Sequence, residues 1–396
     1  MNILIASDTY YPNLNGASYF TYRLATLLAK RGHHVSVICP SQTYQKTTYI
    51  QDGVHVYGVP SMSVLMYKGF RFSPLTISKK AISESLSKIQ PEVMHIQNHF
   101  FIGRAVSEYA TKHHIPIMGT NHFMPENLVH YLHFPPKIEA YINRIAWKQC
   151  FKVFKHLNIV TTPTHTAAAL LKKVGFPKEV KVLSCGLDLK RFKPTHPDIA
   201  RSIKQTYHIP LERKVLLYTG RLDREKRIDI VLHAMPIILK TCDAHLVIAG
   251  EGKQHHTLET LAHTLGIQDR VTFTGFVPDN IFQDIYHVAD VFVNAGIAEL
   301  QSIVTMEALA SGLPVVAANA MALPELVHDG KNGFLFPVDD IDALATHVIR
   351  IFSDSTLQAQ MSQESLRIIQ KHDIQNVIQV YESLYEQTIA NTKSTT

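Results

Sequence analysis

Apolar runs of four to seven residues alternate with amphipathic stretches along the whole chain, and the series occurs twice. In the first half the runs are NILIA, HVSVIC, VHVYGV, EVMHIQ, IPIMGT, NIVTTP and KVLS, with helical patterns such as 19–31 and 103–113 between them. KVLLYTG, HLVIAG, VTFTG, VFVNA, PVVAA and GFLFP repeat the rhythm in the second half. Strands alternating with helices predict parallel sheets covered on both faces. Two such series in 396 residues predict an α/β chain of two Rossmann-like domains facing an interdomain cleft. The expected divisions are 1–193 and 194–370, with 371–396 a C-terminal helix crossing back to the first domain. The boundary falls in the charged, poorly periodic GLDLKRFKPTHPD, and the second series opens at Lys214. In open α/β sheets ligands bind beyond the carboxyl ends of the strands, so the residues just after each strand carry the functional argument.

Composition removes several classes. No apolar run approaches the roughly 18–20 residues that span a bilayer. MNILIASDTYYP has no basic start and reaches Asp8 quickly, which fits a first strand in a cytoplasmic protein better than a signal peptide. Cys39, Cys150, Cys185 and Cys242 have no C-x-x-C spacing, and the pairs His113-His114 and His255-His256 have no metal-ligand spacing. Neither a disulfide framework nor a metal is expected. Charge is uneven: residues 1–193 hold 23 basic and 9 acidic side chains, the remainder 16 and 24. A half this basic favours an anionic partner, a membrane surface or nucleic acid, and also fits a solubility bias. No nucleic-acid-binding motif is visible.

Four loops after strands hold candidate chemistry. The first, SDTYYPNLNGAS, has one glycine, Gly16, at a helix start. It is not G-x-G-x-x-G, so a dinucleotide is disfavoured; it suits a phosphate approach or an ordinary helix start. His122 follows IPIMGT, in a catalytic or a structural role. Arg221 and Lys226 flank the turn RLDREKRID, where a guanidinium and an ammonium at a helix start suit a diphosphate. The same turn also reads as an exposed one paired with Asp223 and Glu225. In AELQSIVTMEALASG, Ser302 is placed to open a helix that contains Glu307. On one straight helix Glu299 and Glu307 would stand about 80° and 12 Å apart, too far to share a proton. Asp340-Ile-Asp342 reads as a helix cap, not as a metal motif.

Taken in order, YYPNLNG, TNH, CGLDLKRF, TGRLDREKRID, GEG, FTGFVPD, E-x7-E with ALASGLPVVA, and NGFLF resemble the retaining glycosyltransferases of family four, which have the GT-B fold. Within it the chain most resembles diacylglycerol glucosyltransferases and phosphatidylinositol mannosyltransferases. The resemblance implies an acceptor-binding first domain and a nucleotide-sugar-binding second one. It implies that Arg221 and Lys226 bind the donor diphosphate, that Glu307 holds the ribose, that Glu299 stands beside the donor sugar, and that Gln301, Ser302 and Ile303 belong to the donor-binding residues, with Ser302 N–H free to face a phosphate or a hydroxyl. Gly16 would approach the phosphates, His122 the sugar and acceptor, and Gly275 and Val277 the base through backbone groups. The family often has Gly-Gly where Gly16-Ala17 stands, and a glycine where Ser302 stands.

The activity so implied is transfer of a hexose, glucose from UDP-glucose, to a hydroxyl acceptor with retention by front-face substitution. Arg221, Lys226 and helix N–H groups would stabilise the leaving diphosphate, and that phosphate would take the acceptor proton. The nucleotide sugar is then a substrate, with no cofactor or metal. A membrane lipid such as diacylglycerol is the expected acceptor, reached from the inner face of the membrane by a peripheral protein. KIEAYINRIAWKQCFKVFK predicts a helix with Arg144, Lys148, Lys152 and Lys155 on one stripe and Trp147 beside it, suited to an anionic bilayer; Lys68 and Arg71 would add to that contact. The alternative is that these aromatics face the core. Alternatives for the activity are a soluble sugar or small-molecule acceptor, or a catalytically silent nucleotide-sugar-binding protein.

Overall fold

The computed structural model describes residues 1–11, 16–63, 71–125, 135–194 and 196–393. Its chain forms two compact units, 1–185 with 375–396, and 186–374. The expected division after residue 193 lies eight residues downstream of this one. The linker start is held by the second unit: Leu187 N–H donates to the His372 carbonyl and Ile374 N–H to the Leu187 carbonyl.

The first unit contains β1 (Asn2–Ala6), β2 (His34–Pro40), β3 (Thr47–Gln51), β4 (Val54–Val59), β5 (Met62–Ser63), β6 (Arg71–Phe72), β7 (Val93–Ile96), β8 (Ile117–Thr120), β9 (Ile159–Thr162) and β10 (Lys181–Val182). Its eight-stranded sheet has the order β10-β9-β8-β7-β1-β2-β4-β3. Every pairing in it is parallel except β3 with β4; β5 and β6 form a separate antiparallel ribbon. The strand order reverses between β1 and β7. Its helices are α1 (Gly16–Lys30), α2 (Leu75–Ile89), α3 (Phe101–Lys112), α4 (Pro136–Phe154) and α5 (His165–Lys173).

In the second unit, β11 (Lys214–Thr219), β12 (Ala244–Ala249), β13 (Val271–Gly275), β14 (Val291–Asn294), β15 (Val315–Ala318) and β16 (Gly333–Phe336) form an all-parallel sheet, β13-β12-β11-β14-β15-β16. This is the doubly wound Rossmann order, with its switch point between β11 and β14. The helices are α6 (Pro197–Thr206), α7 (Ile228–Ile238), α8 (His255–Thr264), α9 (Ile303–Ala310), α10 (Ile341–Ser353) and α11 (Ser355–Ile369). β12, β14 and β15 are buried along their whole length, as expected of strands covered on both faces. Asp340 accepts from Ala343 N–H as the N-cap of α10, so the Asp-x-Asp pair is part of a helix start.

The last helix, α12 (Ile374–Lys393), packs on the first unit's sheet. Ile374, Val377, Ile378, Tyr381, Leu384, Tyr385 and Thr388 are buried, a stripe at helical spacing. Full burial of a side chain such as Ile378 contributes about 1.5–3 kcal/mol. Glu382 on this helix accepts from Arg31 Nε at 2.8 Å and meets His33 Nε2 at 2.9 Å. Among the described residues, no helix is long and apolar enough to cross a membrane.

Candidate active site

The second unit's switch point places the loops after β11 and β14 side by side. The β11 loop is shaped by glycines on its neighbour. Gly250, at φ +146°, lies so near Gly220 that a Cβ there would stand 1.9 Å from the Gly220 carbonyl oxygen. A Cβ at Gly252 would stand 2.4 Å from the Leu222 carbonyl oxygen. Bare backbone lets the two loops zip together: Gly220 N–H donates to Ala249, Leu222 N–H to Glu251, and Gln254 N–H to the Leu222 carbonyl. The GEG triplet therefore holds the segment that carries Arg221.

Arg221 is half exposed. Its Nη1 donates to Asp223 at 2.7 Å and its Nη2 lies 3.3 Å from Glu225. The paired-turn alternative is thus correct for the arginine's resting contacts. Lys226 differs: its Nζ leaves the turn and donates to Glu299 Oε1 at 2.6 Å. Both side chains are largely buried, so a cation and a carboxylate from different loops meet in one preformed pair.

Ser302 is the N-cap of α9, accepting from Thr305 N–H and taking hydrogen bonds from Asn294 Nδ2 at 3.0 Å and Thr305 Oγ1 at 2.9 Å. Glu299 precedes that cap, so the two glutamates do not share one helix, and the straight-helix geometry does not apply. They have separate partners. Glu307, on α9, accepts from Tyr286 OH at 2.7 Å, and that hydroxyl lies 2.8 Å from Thr219 Oγ1. Burial, with Glu307 beside it, raises the Tyr286 pKa far above the usual phenol range, so the hydroxyl stays a donor. Gln301 and Ile303 are half-buried on either side of the cap. At the end of β13, Gly275 turns at φ +66° with open space beside it. Val277 points into the core and Phe276 is exposed, so Val277 offers only backbone.

In the first unit, Gly16 opens α1, and a Cβ there would meet nothing within 4 Å. His122 follows β8, half-buried against the Phe20 ring at 5.1 Å, and its Nε2 lies 3.0 Å from Gln97 Oε1. Burial pushes its pKa from 6.5 down to about 4, so it is a neutral imidazole at neutral pH. Gln97 and Tyr286 have no place in the sequence argument. His95 and Gln97, two apart on the apolar run EVMHIQ, were a visible signal: same-face polar residues in a buried strand need partners. Nothing in the sequence marks Tyr286.

The expected membrane residues divide. Arg144, Lys148, Lys152 and Lys155 are exposed on α4. Trp147 is 4% exposed, packed edge-on to Phe123 at 5.8 Å, and Phe154 is fully buried; the aromatic edge of the basic stripe belongs to the core. In its place Ile138, Tyr141 and Ile145 are 45%, 65% and 42% exposed, at i, i+3 and i+7. Arg71 is tied into its ribbon by bonds to Ser61 and Ser63. Lys68 lies outside the described residues.

Comparison with known proteins accounts for this arrangement. The family model for Glycosyltransferase Family 4 matches residues 14–191, and that for Glycosyl transferases group 1 matches 200–368. The chain is 30% identical to the alpha-monoglucosyldiacylglycerol synthase of Streptococcus pneumoniae, over 85% of this chain and 75% of that protein. It is 27% identical to the GDP-mannose-dependent alpha-mannosyltransferase of Mycolicibacterium smegmatis, over 88% and 89%. In structure it resembles sucrose-phosphate synthase from Thermosynechococcus elongatus, with a TM-score of 0.82, 20% identity and coverage of 98% and 99%. The two family models fall on the two Rossmann-like units, and the chain belongs to glycosyltransferase family 4, with the GT-B fold and glycosyltransferase activity.

Proposed function

We propose that the chain transfers glucose from UDP-glucose, with retention, to a diacylglycerol-type hydroxyl at an anionic membrane surface. The observation that carries the transferase site is the preformed Lys226–Glu299 pair at the second unit's switch point. A donor diphosphate draws Lys226 to itself, with Arg221 beside it, and releases the Glu299 carboxylate to accept from sugar hydroxyls. Glu307, oriented by Tyr286, accepts from the ribose. Charge that develops on the leaving diphosphate is met by two cations and the first N–H groups of α9, including that of Ile303. Val277 and Gly275 offer backbone groups to the base, and Gln301 lines the sugar side. Gly16 leaves room for a phosphate, and His122 meets the acceptor hydroxyl as a neutral imidazole. No metal is needed in this scheme, because the cations supply the countercharge. The lipid acceptor is supported by the α4 surface and by the name of the 30%-identical relative.

The test is a panel of UDP-glucose, UDP-galactose, UDP-N-acetylglucosamine and GDP-mannose. Each is offered with anionic vesicles containing diacylglycerol and, separately, with soluble sugars. Product mass and the anomeric proton signal give donor, acceptor and configuration. α-Glucosyldiacylglycerol from UDP-glucose is expected. Turnover only with soluble sugars, or only with GDP-mannose, overturns the assignment.

A further inference from the structure

We propose that Gln97 is a positioning residue that ties the tautomer of His122 to that of the buried His95. The inference rests on the proposed role of His122 only for its kinetic consequence; the hydrogen-bond chain itself stands apart from that role.

Gln97 follows β7, on the switch-point side of the first unit's sheet, and is fully buried with its backbone N–H on the Ala6 carbonyl. Its amide stands between two imidazoles: Oε1 is 3.0 Å from His122 Nε2, and Nε2 is 3.2 Å from His95 Nε2. An amide offers an acceptor at one end and donors at the other. With the oxygen toward His122, that ring carries its proton on Nε2, and Nδ1 becomes the acceptor nitrogen for a ligand hydroxyl. The amide N–H then meets a bare His95 Nε2, so His95 carries its proton on Nδ1. Turning the amide over reverses both assignments together. In either orientation the two rings carry their protons on opposite nitrogens.

His95 is in turn held from α12. Its Nδ1 is 2.8 Å from Tyr385 OH, and its Nε2 is 2.7 Å from Thr120 Oγ1, which continues to Thr161 Oγ1 at 2.7 Å and Tyr381 OH at 3.3 Å. Burial keeps both rings neutral at neutral pH, His95 at about 3 and His122 at about 4, so neither escapes the constraint by taking a second proton. The C-terminal helix thereby reaches the site residue through one hydroxyl, one imidazole and one amide.

The test is long-range ¹⁵N–¹H correlation NMR of the full chain labelled at histidine, with His122 and His95 assigned by loss of signal in His122→Asn and His95→Gln. Wild type is expected to show His95 and His122 as single, opposite tautomers. Gln97→Leu is expected to mix the His122 tautomers, because the amide that links its proton to that of His95 is gone. Gln97→Glu, whose carboxylate only accepts, is expected to hold His122 in a single Nε2–H form, whichever tautomer the wild type shows. Loss of one hydrogen bond predicts a fall in kcat/KM of roughly 2- to 10-fold for Gln97→Leu, with partial recovery in Gln97→Glu where the wild-type spectrum shows His122 as the Nε2–H form. Identical tautomers in wild type, or a single unchanged His122 tautomer in Gln97→Leu, overturns the proposal. Full activity of His122→Asn beside the expected spectra would leave the coupling standing and remove the proposed role of His122 instead.

Discussion

Tyr286→Phe isolates one oxygen atom. The ring is fully buried among Phe192, Phe282 and Phe292, with centroids 5.8–6.1 Å away, and phenylalanine keeps all of that packing. What is lost is the hydroxyl between Thr219 Oγ1 and Glu307 Oε2. A hydrogen bond to a charged group contributes about 1.5–3 kcal/mol. If that bond holds Glu307 ready for a ribose, its loss weakens nucleotide binding by roughly 10- to 150-fold. The assay is calorimetric titration with whichever of UDP and GDP binds the wild type. It is run on Tyr286→Phe, Glu307→Gln and the double variant. Because the hydroxyl acts through the carboxylate, Tyr286→Phe should add little once Glu307 is changed, a coupling about equal to its own loss, about 1.5–3 kcal/mol. Additive losses, or unchanged affinity in Tyr286→Phe, would refute the orienting role.

Three further outcomes follow from the same geometry. Gly250→Ala places a Cβ against the Gly220 carbonyl and imposes an L residue on a left-handed φ, which costs about 1–3 kcal/mol from backbone strain alone; a lower Tm and weaker nucleotide binding are expected, and a wild-type Tm would show that the loops do not zip as described. Lys148→Gln with Lys152→Gln removes two charges worth about 1 kcal/mol each near an anionic surface. Vesicle co-sedimentation at low salt should fall roughly 30-fold, and unchanged partition would remove α4 from the membrane contact. Asp8 is buried and accepts from Ile102 and Gly103 N–H, yet burial lifts its pKa from 3.8 to about 6. The folded chain holds that proton where the unfolded chain has released it, so this carboxyl's contribution to stability is fully present below pH 3.8 and is lost as pH rises through about 6, by about 3 kcal/mol. Asp8→Asn should flatten that slope in denaturation between pH 4 and 7; a slope equal to wild type would place the shift elsewhere.

Both sheets were legible because their strands are apolar runs that need cover on two faces, and period and punctuation alone mark such runs. β3 escaped for the same reason: TTYIQ is an edge strand, largely exposed, with no alternation to betray it. On α4 the helix was legible and its orientation was not. Arg144, Lys148, Lys152 and Lys155 form a stripe on any wheel, but Trp147 and Ile145 are both apolar flanks of that stripe, and periodicity does not say which flank meets Phe123. The sheet's position decides that, and it places Trp147 inward.

The site divides along the same line. Positions after strands were readable, because topology sends ligands there: Arg221, Lys226 and Glu299 stand on such loops, and Glu307 on the helix α9 that follows one. Their partnerships were not readable. Lys226 stands next to Glu225 in sequence, yet it pairs with Glu299 across the switch point; the near acid is taken by Arg221. Adjacency favours the pairing Lys226–Glu225, and the 3-10 turn Arg224–Lys226 defeats it by sending the lysine away from its neighbour's carboxylate. Ser302 shows the converse. Where the family often has glycine, the serine oxygen is consumed in capping α9, with donors from Asn294 and Thr305 converging on it. The substitution therefore keeps the helix start rigid rather than opening a new contact to a sugar, and Ser302→Gly should change α9 order before it changes donor choice.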